Sequence, residues 1–264
     1  MFMLAKTLLS FSDIERPSVW IVEPKLDGMR MGYMNGKAFS RNQKPIYNID
    51  HILRELEELD ISDNVMLDGE LMASNWEETM SLAKASVVLK PNTALTYVIF
   101  DIVLPEQLSL MYRKELLSQF FNHHRFKYIR NIHWEEKKPF DAFYKSCLKA
   151  GYEGIMLKHR LSYYEPKRSS HWLKYKPTLT MDCEIIGMKE GKGKYEGTLG
   201  SLIVKQENNK ICDVSGMTDN LRNWFWQRKH KIEKMGIIIE VEYQSLTPKG
   251  IMRFPRYIRL RDDK

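Results

Sequence analysis

An α+β protein in two unequal parts is what this sequence predicts, and three observations carry the prediction. Up to about residue 177, short strand runs with glycine turns are mixed with amphipathic helices. After Pro177, strand and turn signals alternate around a single helix. The length, 264 residues, is enough for one large domain or two of unequal size. We expect a mixed domain with antiparallel-rich sheets over 1–179 and a small β-rich domain over 180–264.

In chain order, residues 19–24, 30–34 and 37–41 read as short strands. "NIDHILRELEEL" (48–59) has Ile49, Ile52, Leu53, Leu56 and Leu59 at helical spacing, with Asn48 or Asp50 as cap. "VMLDGELMA" (65–73) reads as a strand. "SNWE" (74–77) has the spacing of a capping box and opens a helix to about Leu89. "ALTYVIFDIV" (94–103) is a buried-strand run. Helices are expected over 109–124 and 139–150, the second ended by Gly151. "YEGIMLK" (152–158) and "HWLKYK" (171–176) complete the strands of the first part. Beyond Pro177 a helix is expected over 218–235, with strands near 237–243 and 253–261. Strands with one helix in about 85 residues suit a small five-stranded barrel of the OB type.

Composition narrows the class. Hydrophobic residues are 43% and charged residues 28%, the balance of a soluble globular chain. No apolar run approaches the ~20 residues of a membrane span. The apolar start "MFMLAKTLLSF" is interrupted by Lys6, has no cleavage site, and reads as part of the fold. Cys147, Cys183 and Cys212 are far apart and form no C-x-x-C, which argues against a zinc ribbon or disulfide framework and fits a cytoplasmic protein. Net charge is +7, of which residues 181–264 contribute +4 (16 Lys+Arg against 12 Asp+Glu). A polyanionic partner is compatible with that excess.

Some residues stand out chemically. In "EPKLDGMR" (23–30), Lys25, Asp27, Gly28 and Arg30 crowd the end of a strand. A lysine amine attacks only when neutral, and burial or neighbouring cations are the usual means of making it so. Lys174 and Lys176 alternate on a strand and share a face, so they could crowd Lys25 or bind a phosphate. Glu70 sits in an otherwise apolar strand, and Glu153 precedes another. A carboxylate turned inward needs a partner, and magnesium with substrate phosphates is one such partner. Phe100, beside Asp101, could stack on a purine or belong to the core. "EGKGKYEGTLG" (190–200) lacks the ending of a P-loop. It suits a loop that tracks a nucleic-acid backbone, or a flexible hairpin.

The order of these segments is more specific than any one of them. "EPKLDGMR" (23–30), "SRN" (40–42), "LDGEL" (67–71), "YVIFD" (97–101), "EGIMLK" (153–158), "WLKYKP" (172–177), "RFPR" (253–256) and "RDDK" (261–264) together resemble the motif series of the ATP-dependent DNA ligases. These belong to the covalent nucleotidyltransferases, with RNA ligases and capping enzymes. The resemblance implies a nucleotidyltransferase domain followed by an OB-fold β-barrel. Lys25 would form the lysyl-adenylate, with Asp27 beside it. Glu23 matches the position that reads adenine, and Phe100 the aromatic that stacks on it. Arg30 and Arg41 match contacts to ribose and the nick 5′-phosphate. Glu70 and Glu153 match acids that hold ribose or metal. Lys158 belongs to the same nucleotide-binding set. Lys174 and Lys176 match lysines on the α-phosphate, and Arg261 and Lys264 would close over ATP.

The implied function is three-step sealing of nicks in duplex DNA, with ATP and Mg2+ or Mn2+, by a monomer that needs no membrane. The alternatives are an RNA ligase, a capping guanylyltransferase, or an OB-containing nucleic-acid binder with an inactive transferase domain. The short turn at 190–200 departs from viral ligases that carry a long clasping hairpin in that domain.

Overall fold

A computed structural model describes residues 2–87, 93–123, 129–131, 135–136 and 139–261. The chain forms two compact units, Met1–Lys176 and Pro177–Lys264. The sequence reading sets the division slightly later, after residue 179.

The first unit holds β1 (Leu4–Thr7), β2 (Trp20–Lys25), β3 (Met29–Met34), β4 (Lys37–Ser40), α1 (Asp50–Glu57), β5 (Met66–Met72), α2 (Trp76–Lys84), β6 (Thr96–Val103), α3 (Leu110–His123), β7 (Ile129–Asn131), β8 (Glu135–Glu136), α4 (Phe140–Lys149), β9 (Gly154–His159) and β10 (Arg168–Tyr175). They build two five-stranded sheets, ordered β1-β10-β9-β2-β8 and β4-β3-β5-β6-β7. Most pairings are antiparallel; β1 with β10 and β6 with β7 are parallel. Each sheet buries one face. Val22, Ile155 and Leu157 pack with Phe140 and Cys147 of α4. Met31, Leu67, Leu71, Tyr97 and Ile99 pack with Ile52 and Leu56 of α1, Leu82 of α2 and Leu117 of α3. Alternation leaves the opposite face of each sheet for other work.

The second unit holds β11 (Leu179–Glu190), β12 (Leu199–Lys205), β13 (Ile211–Val214), α5 (Asp219–Gln227), α6 (Lys229–Met235), β14 (Ile238–Tyr243), β15 (Ser245–Leu246), β16 (Met252–Arg253) and β17 (Arg256–Leu260). Five strands form one sheet, β13-β12-β11-β14-β17, around a core that includes Ile185, Leu202, Val204, Phe225 and Ile239. The sheet curls until its ends meet at a single bridge between Ser215 and Arg256, where the Tyr257 amide donates to the Ser215 carbonyl at 2.8 Å. This is an OB-like sheet touching at one point rather than a fully closed barrel.

Several local expectations need correction. Neither Asn48 nor Asp50 caps α1. Asn48 takes φ 59°, and its amide donates instead to the carbonyls of Leu82 in the last turn of α2 and of Ala85 and Val87 just beyond it. The cap of α2 is Asn75, whose side chain accepts from the Glu78 amide, and α2 ends at Lys84, short of the expected Leu89. Leu89 itself lies outside the described residues. The expected helix 218–235 breaks at Arg228 into α5 and α6; no Pro or Gly marks the break.

Candidate active site

Register places the chemistry. Glu23, Met156 and Lys174 stand in one row across β2, β9 and β10, and Ile21, Lys158 and Trp172 stand in the row two residues away. Side chains two apart share a face, so Lys25 joins Glu23 on the side away from α4. In the other sheet Arg30 stands opposite Glu70. The two free faces enclose a cavity of about 790 Å3, lined by Glu23, Lys25, Arg30, Glu70, Phe100, Lys158 and Lys174 among others. A β-bulge sets Phe100: Gly69 pairs with Ile99 and Asp68 with Asp101, so Phe100 has no partner in the ladder.

Lys25 ends β2, and its ammonium is paired with Oε2 of Glu153. Lys176 approaches the other oxygen, Oε1, at 3.3 Å. Lys174 is half-buried beside them, and its pKa is lowered by burial and then by Lys25, Lys176 and Arg168. Three lysines and Arg168 against one carboxylate leave a surplus of positive charge, suited to phosphate oxygens. Two glycines make this arrangement possible. A Cβ on Gly28 would lie 2.0 Å from the Leu71 carbonyl oxygen. Gly154 has φ 157°, and a Cβ there would lie 2.2 Å from the Tyr175 carbonyl oxygen.

Deeper in the cavity, Glu23 is 1% exposed. Its Oε2 lies 2.6 Å from the Lys158 ammonium, and its Oε1 is paired with Lys114. Lys158 stands 4.3 Å from the Phe100 ring centre and 4.2 Å from that of Trp172. Burial pushes its pKa down to about 8, against the pull of Glu23. Arg30 is gripped by Asp68 at 2.9 Å and 2.5 Å and donates to the Met3 carbonyl at 2.7 Å. Its guanidinium lies over Phe2, Phe100 and Trp172. Burial alone would lower its pKa, but Asp68 outweighs that and raises it. Tyr164 donates to Asp68 Oδ2 at 2.6 Å and accepts from the Met3 amide at 3.1 Å.

The structure therefore brings Glu23, Lys25, Arg30, Glu70, Phe100, Lys158 and Lys174 onto one cavity, with Glu153 and Lys176 bonded into the Lys25 cluster. Arg41 lines the cavity from the turn after β4. Asp27 lies in the turn between β2 and β3 and is not among the lining residues. Arg261 belongs to the second unit, where it donates to Asp182 Oδ1 at 2.7 Å. Lys264 lies outside the described residues. The sequence reading missed Asp68, Lys114 and Tyr164, and also the face of α2 that lines the cavity with Trp76, Met80 and Lys84. That face has i, i+4, i+8 spacing, a signal the helix pattern offered. No group of three or more His, Cys, Asp or Glu side chains suited to a metal is present among the described residues. Glu70 and Glu153 still fit magnesium, a hard cation that takes one or two protein carboxylates and completes its shell with substrate phosphates.

A lysine among cations between two sheets, followed by an OB-like unit, defines a nucleotidyltransferase-type ligase core. The family described as ATP dependent DNA ligase domain matches residues 2–176, and that described as DNA ligase OB-like domain matches residues 190–261. The chain belongs to the ATP-dependent DNA ligase family. The DNA ligase of Haemophilus influenzae is 27% identical over 248 residues, covering 91% of this chain and 86% of its own. That of Thermococcus fumicolans is 32% identical over 177 residues, or 58% of this chain, which spans only about a third of that relative (32%). A solved structure of a Lig E DNA ligase shares the fold, with TM-score 0.79, 20% identity and 98% of both chains covered. No helix among the described residues is long and apolar enough to cross a membrane.

Proposed function

We propose that this chain seals nicks in duplex DNA with ATP, through AMP carried on Lys25. The observation that carries the reading is the Lys25 amine on a cavity wall beside Lys174, Lys176 and Arg168, paired with Glu153. In the first step the Lys25 Nζ, having lost a proton, attacks the α-phosphorus of ATP. A P–N bond forms, and the P–O bond to pyrophosphate breaks. AMP then passes from Lys25 to a 5′-phosphate oxygen of the nick. The 3′-hydroxyl attacks that 5′-phosphorus, closing the phosphodiester and releasing AMP.

The base lies against Phe100, with Glu23 and Lys158 at its edge, and Arg30 serves the ribose or the nick phosphate with Arg41. Lys174 and Lys176 hold the α-phosphate, so positioning and charge supply most of the acceleration. Asp27 supports the turn that presents Lys25. Glu70 and Glu153 would hold magnesium or manganese, which neutralises phosphate charge when bound. For Glu153 this requires giving up a lysine partner. Arg261 and Lys264 act on the pyrophosphate in the first step. The working form is a monomer in the cytoplasm.

The test is incubation of the purified protein with magnesium and α-labelled ATP. We expect an alkali-stable, acid- and hydroxylamine-labile label on the protein, as a P–N bond requires, and sealing of a nicked duplex. Lys25→Ala should abolish both with the fold intact. AMP transfer by that variant would move the nucleophile elsewhere.

A further inference from the structure

Lys114 lies on α3, outside every segment that carries the ligase resemblance, and is 1% exposed. An ammonium that deep needs partners, because burying an unpaired charge is costly. It has two. One is Oε1 of Glu23. The other is the Phe100 carbonyl oxygen, to which Lys114 Nζ donates at 2.6 Å. The second bond depends on the bulge. Phe100 is skipped in the pairing of β5 with β6, and Lys114 supplies a donor there. The same β6 segment is tied to α3 once more, because Asp101 receives Arg113 at 2.7 Å and 3.0 Å.

Thus one side chain from α3 fixes both the carboxylate at the edge of the cavity's inner end and the strand segment that carries its aromatic ring. Lys158 holds the other oxygen of Glu23 and stands over Phe100. With an ammonium on each oxygen, the carboxylate plane of Glu23 cannot rotate without breaking an ion pair. We propose that Lys114 is a positioning residue that sets base selectivity, by holding Glu23 and Phe100 in the relative placement that admits adenine and disfavours guanine. The proposal rests on the reading of Glu23 and Phe100 as the base-binding residues.

The physical consequence is specific. A site that fixes its polar groups rejects a base whose edge mismatches them, because those groups are left unpaired. Loosening the Glu23 carboxylate should therefore erode the difference between bases more than the attack by Lys25, whose ammonium is held separately by Glu153.

The experiment uses the full chain and two nucleotides, ATP and GTP. Equilibrium binding is measured by calorimetry, and labelling with each α-labelled nucleotide is followed to give KM and kcat. Lys114→Met keeps the length and removes the charge, whereas Lys114→Arg keeps a cation. We expect Lys114→Met to raise KM for ATP about tenfold and to reduce the ATP-over-GTP preference at least about tenfold. Lys114→Arg should recover most of the preference. If Lys114→Met does not fold, the double variant Glu23→Gln/Lys114→Met removes both buried charges. It should match Glu23→Gln alone rather than multiply the two losses. An unmoved preference in Lys114→Met, an Arg variant as unselective as the Met variant, or multiplied losses in the double variant would overturn the proposal. A wild-type chain that binds ATP over GTP, loses that preference in Lys114→Met, yet never takes label would overturn the ligase reading and leave this one standing.

Discussion

Glu70 stands on β5 opposite Arg30, and burial pushes its carboxyl up from 4.5 to about 7, while Lys25 and Arg30 pull the other way. Between those two values the folded state holds a proton that the unfolded chain has released. The folded state therefore gains its full advantage at or below pH 4.5 and loses it as pH rises through about 7. Glu70→Gln stays uncharged throughout. Its melting temperature relative to wild type should climb between about pH 5 and about pH 8, and level off above. A difference that does not vary with pH would mean that folding does not raise the Glu70 carboxyl above its unfolded value. The same variant should label poorly with ATP, since a carboxylate kept at a cost to stability is the mark of a working site. Glu70 was legible in the sequence as an acid in an apolar strand. Asp68, two residues earlier on the same strand, was equally visible, but its partners Arg30 and Tyr164 come from β3 and from the loop before β10. Nothing in the local pattern announces a partner 96 residues away.

At the scale of the strands, the site is a consequence of register. The pairs Lys25 with Gly154 and Lys158 with Trp172 bring three quoted motifs, 23–30, 153–158 and 172–177, onto adjacent strands. The alternating patterns in the sequence were enough to locate these strands and the faces of Lys174 and Lys176. What they could not supply was the pairing order, in which β1 joins β10 in parallel and β9 lies between β10 and β2. The bulge at Phe100 was also hidden, because a skipped residue leaves no clear trace in a run where every residue of 97–103 but Asp101 is apolar or aromatic. Gly154 carries the junction, beside Glu153 and against the end of β10. A side chain there meets the Tyr175 carbonyl oxygen at 2.2 Å on a backbone of φ 157°. Gly154→Ala should cost roughly 2 kcal/mol or more, lowering the melting temperature by about 4–8 °C. Labelling by ATP should fall further than the folded fraction does, as Glu153 shifts away from Lys25. Calorimetry and a labelling assay on the same preparation check both, and labelling that merely tracks the folded fraction would remove Gly154 from the positioning of the nucleophile.

For the whole molecule, the quantity that matters is charge. The chain carries +7, and both parts contribute. The first unit places Arg41, Lys44 and Lys84 around the cavity with no ion pair to offset them among the described residues. In the second, Lys192 and Lys194 flank the short turn before β12, whose Tyr195 ring lies 4.3 Å from the Arg222 guanidinium. A duplex bound mainly through its phosphates releases counterions as it binds, and its affinity falls with salt at a log–log slope of about −0.9 for each phosphate neutralised. With the cations spread over two units, we expect a slope of roughly −4 or steeper for nicked duplex, measured between about 50 and 200 mM salt. Lys192→Ala with Lys194→Ala should flatten the slope by about 1 to 2 units and leave labelling of Lys25 by ATP unchanged, since that step needs no DNA. A slope near zero would mean that binding does not rest on phosphate contacts. A slope unmoved by the double substitution would remove the 190–200 turn from the DNA surface, while the ATP step, read in the absence of DNA, would stand.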